Sequence, residues 1–534
     1  SNQPPAPAPT CNRPHQWQST ARELHLLQAT QASTLASTFQ PLHLRLRSPP
    51  PALSASGLPL RLCDQPLPRR TQAPPHAALW LWSVLLGLLA WGASALRHWL
   101  LQSNAYDLGL FDQWAWLIGS GRDPISSMED VHVLADHGAW MFYGSGLLYG
   151  LHPSIHWLLA SQALSLSLTA IPVWMLATQA GLSRRLCWFS CLLWWLQPLV
   201  FNVNLFDFHP EVWVMPGLAM AIWCQRQQRI GVWLLLLALM LGCRDGLVLV
   251  TLGLSLSLLF QRRWTWAIAG TGLSGAWVLL LSHWLYPLFR NGEGPKAAGR
   301  MFSHLGDNFG DILFTLISRP WLAVTHIDLG SGAFYLMVLI LPTLPFWRRN
   351  SLVILSAAVP LLLVNLNAEA SSYRTLIHHY SLPLAVLSVT AAIDGMSLQP
   401  RRTFPWNGVI WAVSLWLALA KPWFFTGPYL DRVHMMGDAY QAISKLTPND
   451  RVLTTSYLVP QISQRQHVTF AKRSQSEQAF NNDWNVFLLN PNHPGWGSNK
   501  RIQKRLLNEA EERYWTCKSW DSGLKFCRKP SSTS

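Results

Sequence analysis

Hydrophobic residues run along this chain in blocks of bilayer length rather than in the short recurrences of a soluble amphipathic fold. Between Ala77 and about Ala420, apolar runs repeatedly approach the ~20 residues that a helix needs to cross a hydrocarbon core. Eleven spans are predicted, at 79–99, 154–179, 186–205, 212–225, 230–243, 246–260, 264–287, 333–347, 351–367, 379–397 and 404–420. Arginine pairs punctuate them: Arg69/Arg70, Arg184/Arg185, Arg226/Arg229, Arg262/Arg263, Arg348/Arg349 and Arg401/Arg402 fall in every second connection. Clustered Lys and Arg mark cytoplasmic loops, so this alternation puts the N-terminus inside and the C-terminus outside. The same parity decides Ile230 to Phe260. One long helix would place its flanking arginine pairs on opposite faces, whereas two short spans turning back at Cys243-Arg244-Asp245-Gly246 keep them together.

Two flanking regions lack spanning runs. Residues 1–76, rich in Pro, Gln, Ser and His, read as a disordered cytoplasmic arm. No cleavable signal precedes Ala77, so the first span is expected to stay as an anchor. Beyond the membrane domain at 77–420, residues 421–534 read as a separate extracytoplasmic domain. Asp431 to Lys445 has helical periodicity, while Arg451 to Thr455, His467 to Ala471 and Trp484 to Asn490 look like short strands. The expected fold is therefore an all-α polytopic membrane protein of about eleven transmembrane helices, carrying a small α/β C-terminal domain.

Composition supports the membrane reading. Charged residues are 13% of the 534, about half the share usual in soluble chains, and tryptophan alone counts 30. The net charge of +15 raises the question of nucleic acid. Its arginines lie in pairs between apolar runs instead of forming a basic face, which excludes that class. Four of the eight cysteines, Cys187, Cys191, Cys224 and Cys243, sit in or beside apolar runs and show no zinc spacing.

The unusual polar residues gather on the extracytoplasmic side. In the first loop, about 97–153, the run YDLGLFDQWAWLIGSG starts at Tyr106. Leu110, Phe111, Trp114, Leu117 and Ile118 share one side of a helix, predicted to face lipid or the bundle. Asp107 then stands at the helix N-terminus and Asp112 in its body, about 140° apart around the axis. Asp107 reads equally as an N-cap or as a carboxylate able to act as general base at the membrane surface. FDFHPE, Phe206 to Glu211, joins two spans and brings Asp207, His209 and Glu211 within five residues. Helix-start chemistry explains Pro210 and Glu211. The trio otherwise reads as a structural polar cluster or as a phosphate or metal site, and its spacing tolerates a divalent cation without demanding one. Arg244, Lys296, Arg300, Arg374, His378 and His379 lie on the same face and could neutralise a lipid-linked phosphate. Arg300 and Arg374 lead because a guanidinium fork matches phosphate oxygens.

On these residues the chain resembles the bacterial membrane-protein family called domain of unknown function twenty seventy-nine. The resemblance rests on YDLGLFDQ at Tyr106, Asp136-His137, Gln162 to Pro172, FDFHPE, Arg244-Asp245 and HHYSLPL at His378. It departs where Arg244-Asp245 replaces a commoner Lys-Glu-Asp and where Gly138 follows His137. That family in turn looks like the multispanning C-type glycosyltransferases of the bacterial inner membrane, which take sugars from polyprenyl-phosphate carriers outside the cytoplasm and carry an essential acidic residue in the first loop. The resemblance implies transfer with inversion of the sugar, Asp107 or Asp112 as base, and Arg300, Arg374, His379 and Arg244 around the leaving phosphate. A transporter or flippase for a lipid-linked substrate, or a non-catalytic scaffold, is the competing class. Separately, Cys517 and Cys527 lie five residues on either side of Ser522 in a hairpin turning at Asp521-Ser522-Gly523. That places them opposite each other in a compartment where disulfides persist.

Overall fold

The computed structural model describes residues 76–290, 302–306, 315, 318–319, 321–325, 327–398, 404–472 and 484–530. The expected N-terminal arm up to residue 75, Lys296, Arg300 and the Arg69/Arg70 and Arg401/Arg402 pairs lie outside the described residues.

The membrane part is helical. Among the described residues Ala77–Trp99, His156–Gln179, Trp264–Phe289 and His379–Ser397 are long and apolar enough to cross a membrane. Arg184–Trp195 and Pro198–Leu205, bent by 42°, make a fifth if they are one span. The bend falls where Pro198 opens the second helix without an N–H to continue the first. Five apolar helices are shorter: Ile230–Leu241, Asp245–Ser257, Leu329–Ile340, Ser351–Asn367 and Trp406–Leu419. Twelve residues rise only about 18 Å against a hydrocarbon core of about 30 Å. Four or five of the eleven expected spans are thus long and apolar enough to cross by this measure, and the shorter apolar helices fall below that length. Ile230–Leu241 and Asp245–Ser257 are such short helices, joined at the predicted Arg244-Asp245 turn.

Burial follows membrane logic. Leu81 and Leu89 on the first span and Ile268 on Trp264–Leu280 face outward, where lipid replaces water. Inward faces use small residues to let helices approach: Gly87 lies against Leu164, and Ser167 Oγ donates to the Ser83 carbonyl at 2.6 Å.

The C-terminal region carries a five-stranded sheet. With β1 (Ile125–Ser126) and β2 (Val131–His132) forming a small hairpin in the first loop, the sheet comprises β3 (Val452–Thr454), β4 (Val468–Phe470), β5 (Val486–Leu489), β6 (Thr516–Ser519) and β7 (Lys525–Arg528) in the order β4-β3-β5-β7-β6. The strands β4, β3 and β5 are parallel, and β7 and β6 are antiparallel to their neighbours. The parallel strands are buried throughout, Thr454 and Thr469 included, because both faces are covered. Leu453, Phe487 and Leu489 pack toward the amphipathic helix Lys500–Glu512, whereas Val452, Val486 and Leu488 join a core shared with the first loop. Val486 Cα pairs with Arg528, and Cys517 faces Cys527, to which it is disulfide-bonded.

That shared core revises one expectation. The apolar side of the first-loop helix, Leu110–Gly119, meets neither lipid nor the span bundle alone. Leu110, Phe111 and Trp114 are buried with Tyr457, Val459 and Phe470 of the C-terminal region. Gly109 makes this close approach feasible, since a Cβ there would lie 2.9 Å from Val459 Cγ1. Further bonds seat the sheet on the end of the first span: Tyr440 Oη donates to the Trp99 carbonyl at 2.8 Å, and Arg432 Nη1 to that of Leu101 at 2.6 Å.

Candidate functional site

The site grows from two turns. The first, Ala105–Gly109, is a single π-helical turn leading into Leu110–Gly119. Such widened turns re-aim a side chain that a regular helix would pack away, and they recur at functional sites. Asp107 is carried on it and caps no helix; the residue preceding Leu110–Gly119 is Gly109, which makes no side-chain cap. The second turn is FDFHPE. Asp207 adopts a left-handed backbone (φ 66°), a conformation Asp tolerates better than bulkier residues. Fully buried Gln162 on the span His156–Gln179 holds this turn. Its amide donates to the Asp207 carbonyl at 2.6 Å, and its Oε1 accepts from the His209 N–H at 3.1 Å.

Together the turns assemble three carboxylates and two arginines. Asp207 is bonded to Arg97 at the end of the first span and accepts from the Asn104 N–H at 2.9 Å. Glu211 is bonded to Arg244 and lies 3.1 Å from His379 Nε2, which is itself 3.0 Å from Arg244 Nη1. Among the described residues Asp107 has no arginine in contact. Its Oδ1 lies 3.2 Å from His209 Nε2, the geometry of an N–H donated to the carboxylate. His209 stacks on His379 with centroids 3.9 Å apart, linking the two halves. Beside Arg244, Asp245 accepts from Tyr286 Oη at 2.8 Å and lies 3.5 Å from His137, which also contacts Asp136 at 3.1 Å.

Asp207 and Glu211 each meet a guanidinium, whereas Asp107 meets the His209 imidazole. The Asp107 side chain is 26% exposed, against 0% for Asp207 and 6% for Glu211. Burial acts to raise the Asp107 pKa. The His209 hydrogen bond and charge, with the charges of His379 and Arg97, outweigh it and hold the carboxyl below its ordinary range. Burial likewise opposes ionisation of Glu211, and Arg244 and His379 overcome it, holding that carboxyl well below its usual range. Both are ionised at neutral pH. Three buried atoms of this cluster, His209 Nδ1, His379 Nδ1 and Glu211 Oε2, have no hydrogen-bond partner.

The structure sorts the residues singled out by sequence. Asp107, Asp207, His209, Glu211, Arg244 and His379 come together. Asp112 does not join them. It is 1% exposed and accepts from Tyr149 Oη (2.7 Å), Ser463 Oγ (2.6 Å) and Gln464 Nε2 (3.1 Å), so it ties the first loop to the C-terminal region. Burial pushes its pKa up to about 6 despite those bonds. Arg374 also turns elsewhere: it donates to the carbonyls of Asn365, Leu366 and Ala368 at the end of Val359–Asn367, and to Ser331 Oγ, because a terminating helix leaves its last carbonyls unpaired. Asp207, His209 and Glu211 do not converge on one point. Their side chains diverge to Arg97, Asp107 and Arg244, and among the described residues no group of three His, Cys, Asp or Glu side chains is arranged to hold a metal ion.

Three contributors were not anticipated. Arg97 carried a legible signal, being an arginine at the span end that the arginine-pair pattern predicts to lie outside the cytoplasm, the side where cations are disfavoured. Gln162, a polar residue inside a span, carried another. His137 lay in a quoted motif, but its contact with Asp245 depends on the tertiary fold.

The site and fold place the chain in a known class. It belongs to the family described as Predicted membrane protein (DUF2079), matched over residues 97–526. Its fold is similar to that of "ArnT from Cupriavidus metallidurans bound to Undecaprenyl phosphate": TM-score 0.52, 12% identity, covering 86% of this chain and 99% of that one. The apo state of the same protein gives a TM-score of 0.43 at 13% identity, with 85% and 99% covered. No curated protein matches the chain. The fold is thus the one that the C-type resemblance implied.

Proposed function

We propose that the protein is a membrane glycosyltransferase that moves a sugar from a polyprenyl-phosphate carrier to an extracytoplasmic acceptor, with Asp107 as general base. The observation that carries this is the position of Asp107: among the described residues, the one carboxylate of the cluster without an arginine in contact, partly exposed, ionised, and bonded to His209. An acceptor hydroxyl gives its proton to Asp107 as its oxygen attacks the anomeric carbon. The bond from that carbon to the phosphate oxygen breaks on the opposite face, the electron pair leaves with the polyprenyl phosphate, and the configuration inverts. Arg244 and His379 stand one residue layer behind, where cationic and N–H groups stabilise the charge developing on the leaving phosphate. The unpartnered His209 Nδ1, His379 Nδ1 and Glu211 Oε2 support a site completed by a ligand or by water, since buried polar atoms are rarely left unpaired. The shared fold with ArnT, whose structure holds undecaprenyl phosphate, supports the lipid partner.

In this reading the N-terminus is cytoplasmic and residues 421–534 form an extracytoplasmic domain over the site. The phosphate-binding set is Arg244 and His379, joined by Arg300. Arg374 is left out because its guanidinium caps a helix. The test is incubation of the purified protein in lipid nanodiscs with polyprenyl-phosphate sugars labelled in the sugar. Label transferred to an acceptor or released by hydrolysis is expected. Translocation of the intact labelled lipid in proteoliposomes, without transfer, would replace the enzyme with a flippase.

A further inference from the structure

Immediately before Asp107, Tyr106 faces the C-terminal region. Its ring meets Phe470 edge to face at 5.1 Å and Trp496 at 5.2 Å. Phe470 is fully buried and forms the floor; Trp496 is 59% exposed. Large aromatic rings left facing water next to a reactive carboxylate call for an occupant.

The loop presenting Trp496 is built to keep it there. Gly495 and Gly497 both take positive φ, 77° and 73°. A Cβ on Gly495 would lie 2.5 Å from Ser456 Oγ, and one on Gly497 3.0 Å from Phe470 Cε2, so the loop is pressed onto the sheet on both sides of the indole. Two fully buried amides fasten it. Asn490 Oδ1 accepts from the N–H groups of Asn492 and His493, and Gln503 Nε2 donates to the Pro494 carbonyl at 2.9 Å. A polar rim completes the patch. Lys472 Nζ donates to Tyr106 Oη (2.6 Å), the Met128 carbonyl (2.9 Å) and Glu129 Oε1 (3.0 Å), which uses all three of its hydrogens. Glu129 remains over a third exposed, with acceptor capacity to spare.

We propose that Tyr106 and Trp496, rimmed by Glu129, form the subsite for a saccharide portion of the acceptor, holding its hydroxyl toward Asp107. An aromatic floor with a carboxylate at its edge suits a sugar ring, whose C–H face lies on the indole while its hydroxyls donate to the carboxylate. Among the described residues the cation at this rim, Lys472, is already saturated by its own partners, which disfavours an anionic headgroup. This rests on the transferase reading for its purpose but not for its detection.

The experiment measures binding of maltotetraose and chitotetraose to the full-length protein in nanodiscs by saturation-transfer NMR, without any lipid-linked donor. Wild-type protein should bind at least one of them in the millimolar range. Trp496→Ala should weaken that binding at least tenfold, Trp496→Phe should retain most of it, and binding of undecaprenyl phosphate should be unchanged in both. No saccharide binding by wild type, or equal binding by Trp496→Ala, overturns the subsite. Trp496→Ala losing affinity for empty anionic vesicles while keeping the saccharide would make Trp496 a membrane anchor and also overturn it. Saccharide binding that depends on Trp496, in a protein that never transfers sugar, would keep the subsite and refute the enzyme; undecaprenyl-phosphate binding and transfer without saccharide binding would do the reverse.

Discussion

Two aspartates five residues apart in the first loop have opposite surroundings, and replacing each by alanine separates their roles. In Asp112→Ala, Tyr149 Oη and Gln464 Nε2 lose their acceptor, while Ser463 Oγ keeps only the Pro460 carbonyl at 3.4 Å. A buried donor left unpaired costs about 1–3 kcal/mol. Removing a carboxylate that burial already disfavours returns part of this, so the net loss is about 2–3 kcal/mol. It falls on the junction of the first loop and the C-terminal region. Asp107→Ala leaves His209 Nε2 without an acceptor beside a partly exposed position, so stability falls by within about 1 kcal/mol, whereas loss of a general base lowers the rate by about 10²–10⁴. Paired thermal unfolding and transfer assays in nanodiscs read both quantities. The expected pattern is a folded, inactive Asp107→Ala and a less stable Asp112→Ala whose residual folded fraction still turns over. A stable but inactive Asp112→Ala would assign the base to Asp112 and refute the reasoning.

The same geometry predicts the behaviour of other groups. Arg244→Ala removes the guanidinium beside buried Glu211, and stranding such a charge costs about 3 kcal/mol; undecaprenyl-phosphate binding should weaken much more than in the cytoplasmic control Arg348→Ala, and equal weakening would indicate general lipid attraction. Asp112 has a higher pKa folded than unfolded, so it binds its proton more tightly when folded. Its stabilisation is complete below about pH 4 and is lost as pH rises through about 6; melting temperatures across that window should fall in wild type and lose this component in Asp112→Asn. Cys517 and Cys527 close a loop of ten residues, for which chain entropy gives about 2–3 kcal/mol; a nonreduced digest should yield the 517–527 linkage, and free alkylatable thiols would contradict it. Reporter fusions after Arg185 and Arg263 should report cytoplasm and a C-terminal fusion the outside, and a cytoplasmic C-terminus would invert the site.

What the sequence made legible followed from local pattern. Val452–Thr454, Val468–Phe470 and Val486–Leu489 are short runs rich in β-branched and other apolar residues between turns, and each became a strand. FDFHPE showed its turn through Pro210 and its charge through composition. Legibility ended where partners are remote. Asp107 and Asp112 are both acidic, both near one helix, and differ only in what lies 102 residues onward for one (His209) and 351 for the other (Ser463). Arg374 looked like an ideal phosphate fork, yet the unpaired carbonyls of its own neighbourhood, six to nine residues away, are what it binds. Helix length was less legible, because hydropathy counts apolar residues and does not register where a helix breaks, as between Trp195 and Pro198.

The placement of Asp107 by both turns has a mechanical consequence. From the membrane side, Gln162 fixes the FDFHPE turn and so the His209 ring that holds the carboxylate. From the other side, Val459 presses on Gly109 and Lys472 grips Tyr106, the residues two after and one before Asp107. A displacement of the sheet therefore moves the π-helical turn, while His209 stays with the membrane helices. The 3.2 Å contact between Asp107 and His209 spans that boundary, and it is a contact that docking of the C-terminal region both needs and tightens. Gly109→Val would overfill the boundary: its side chain would meet Val459 while touching neither carboxylate nor imidazole. Overpacking of this kind commonly costs about 1–3 kcal/mol. Transfer should fall in this variant more than its folded fraction does, and a second change, Val459→Ala, should restore it by vacating the space. If Gly109→Val loses activity only in proportion to folded protein, the sheet does not position the base.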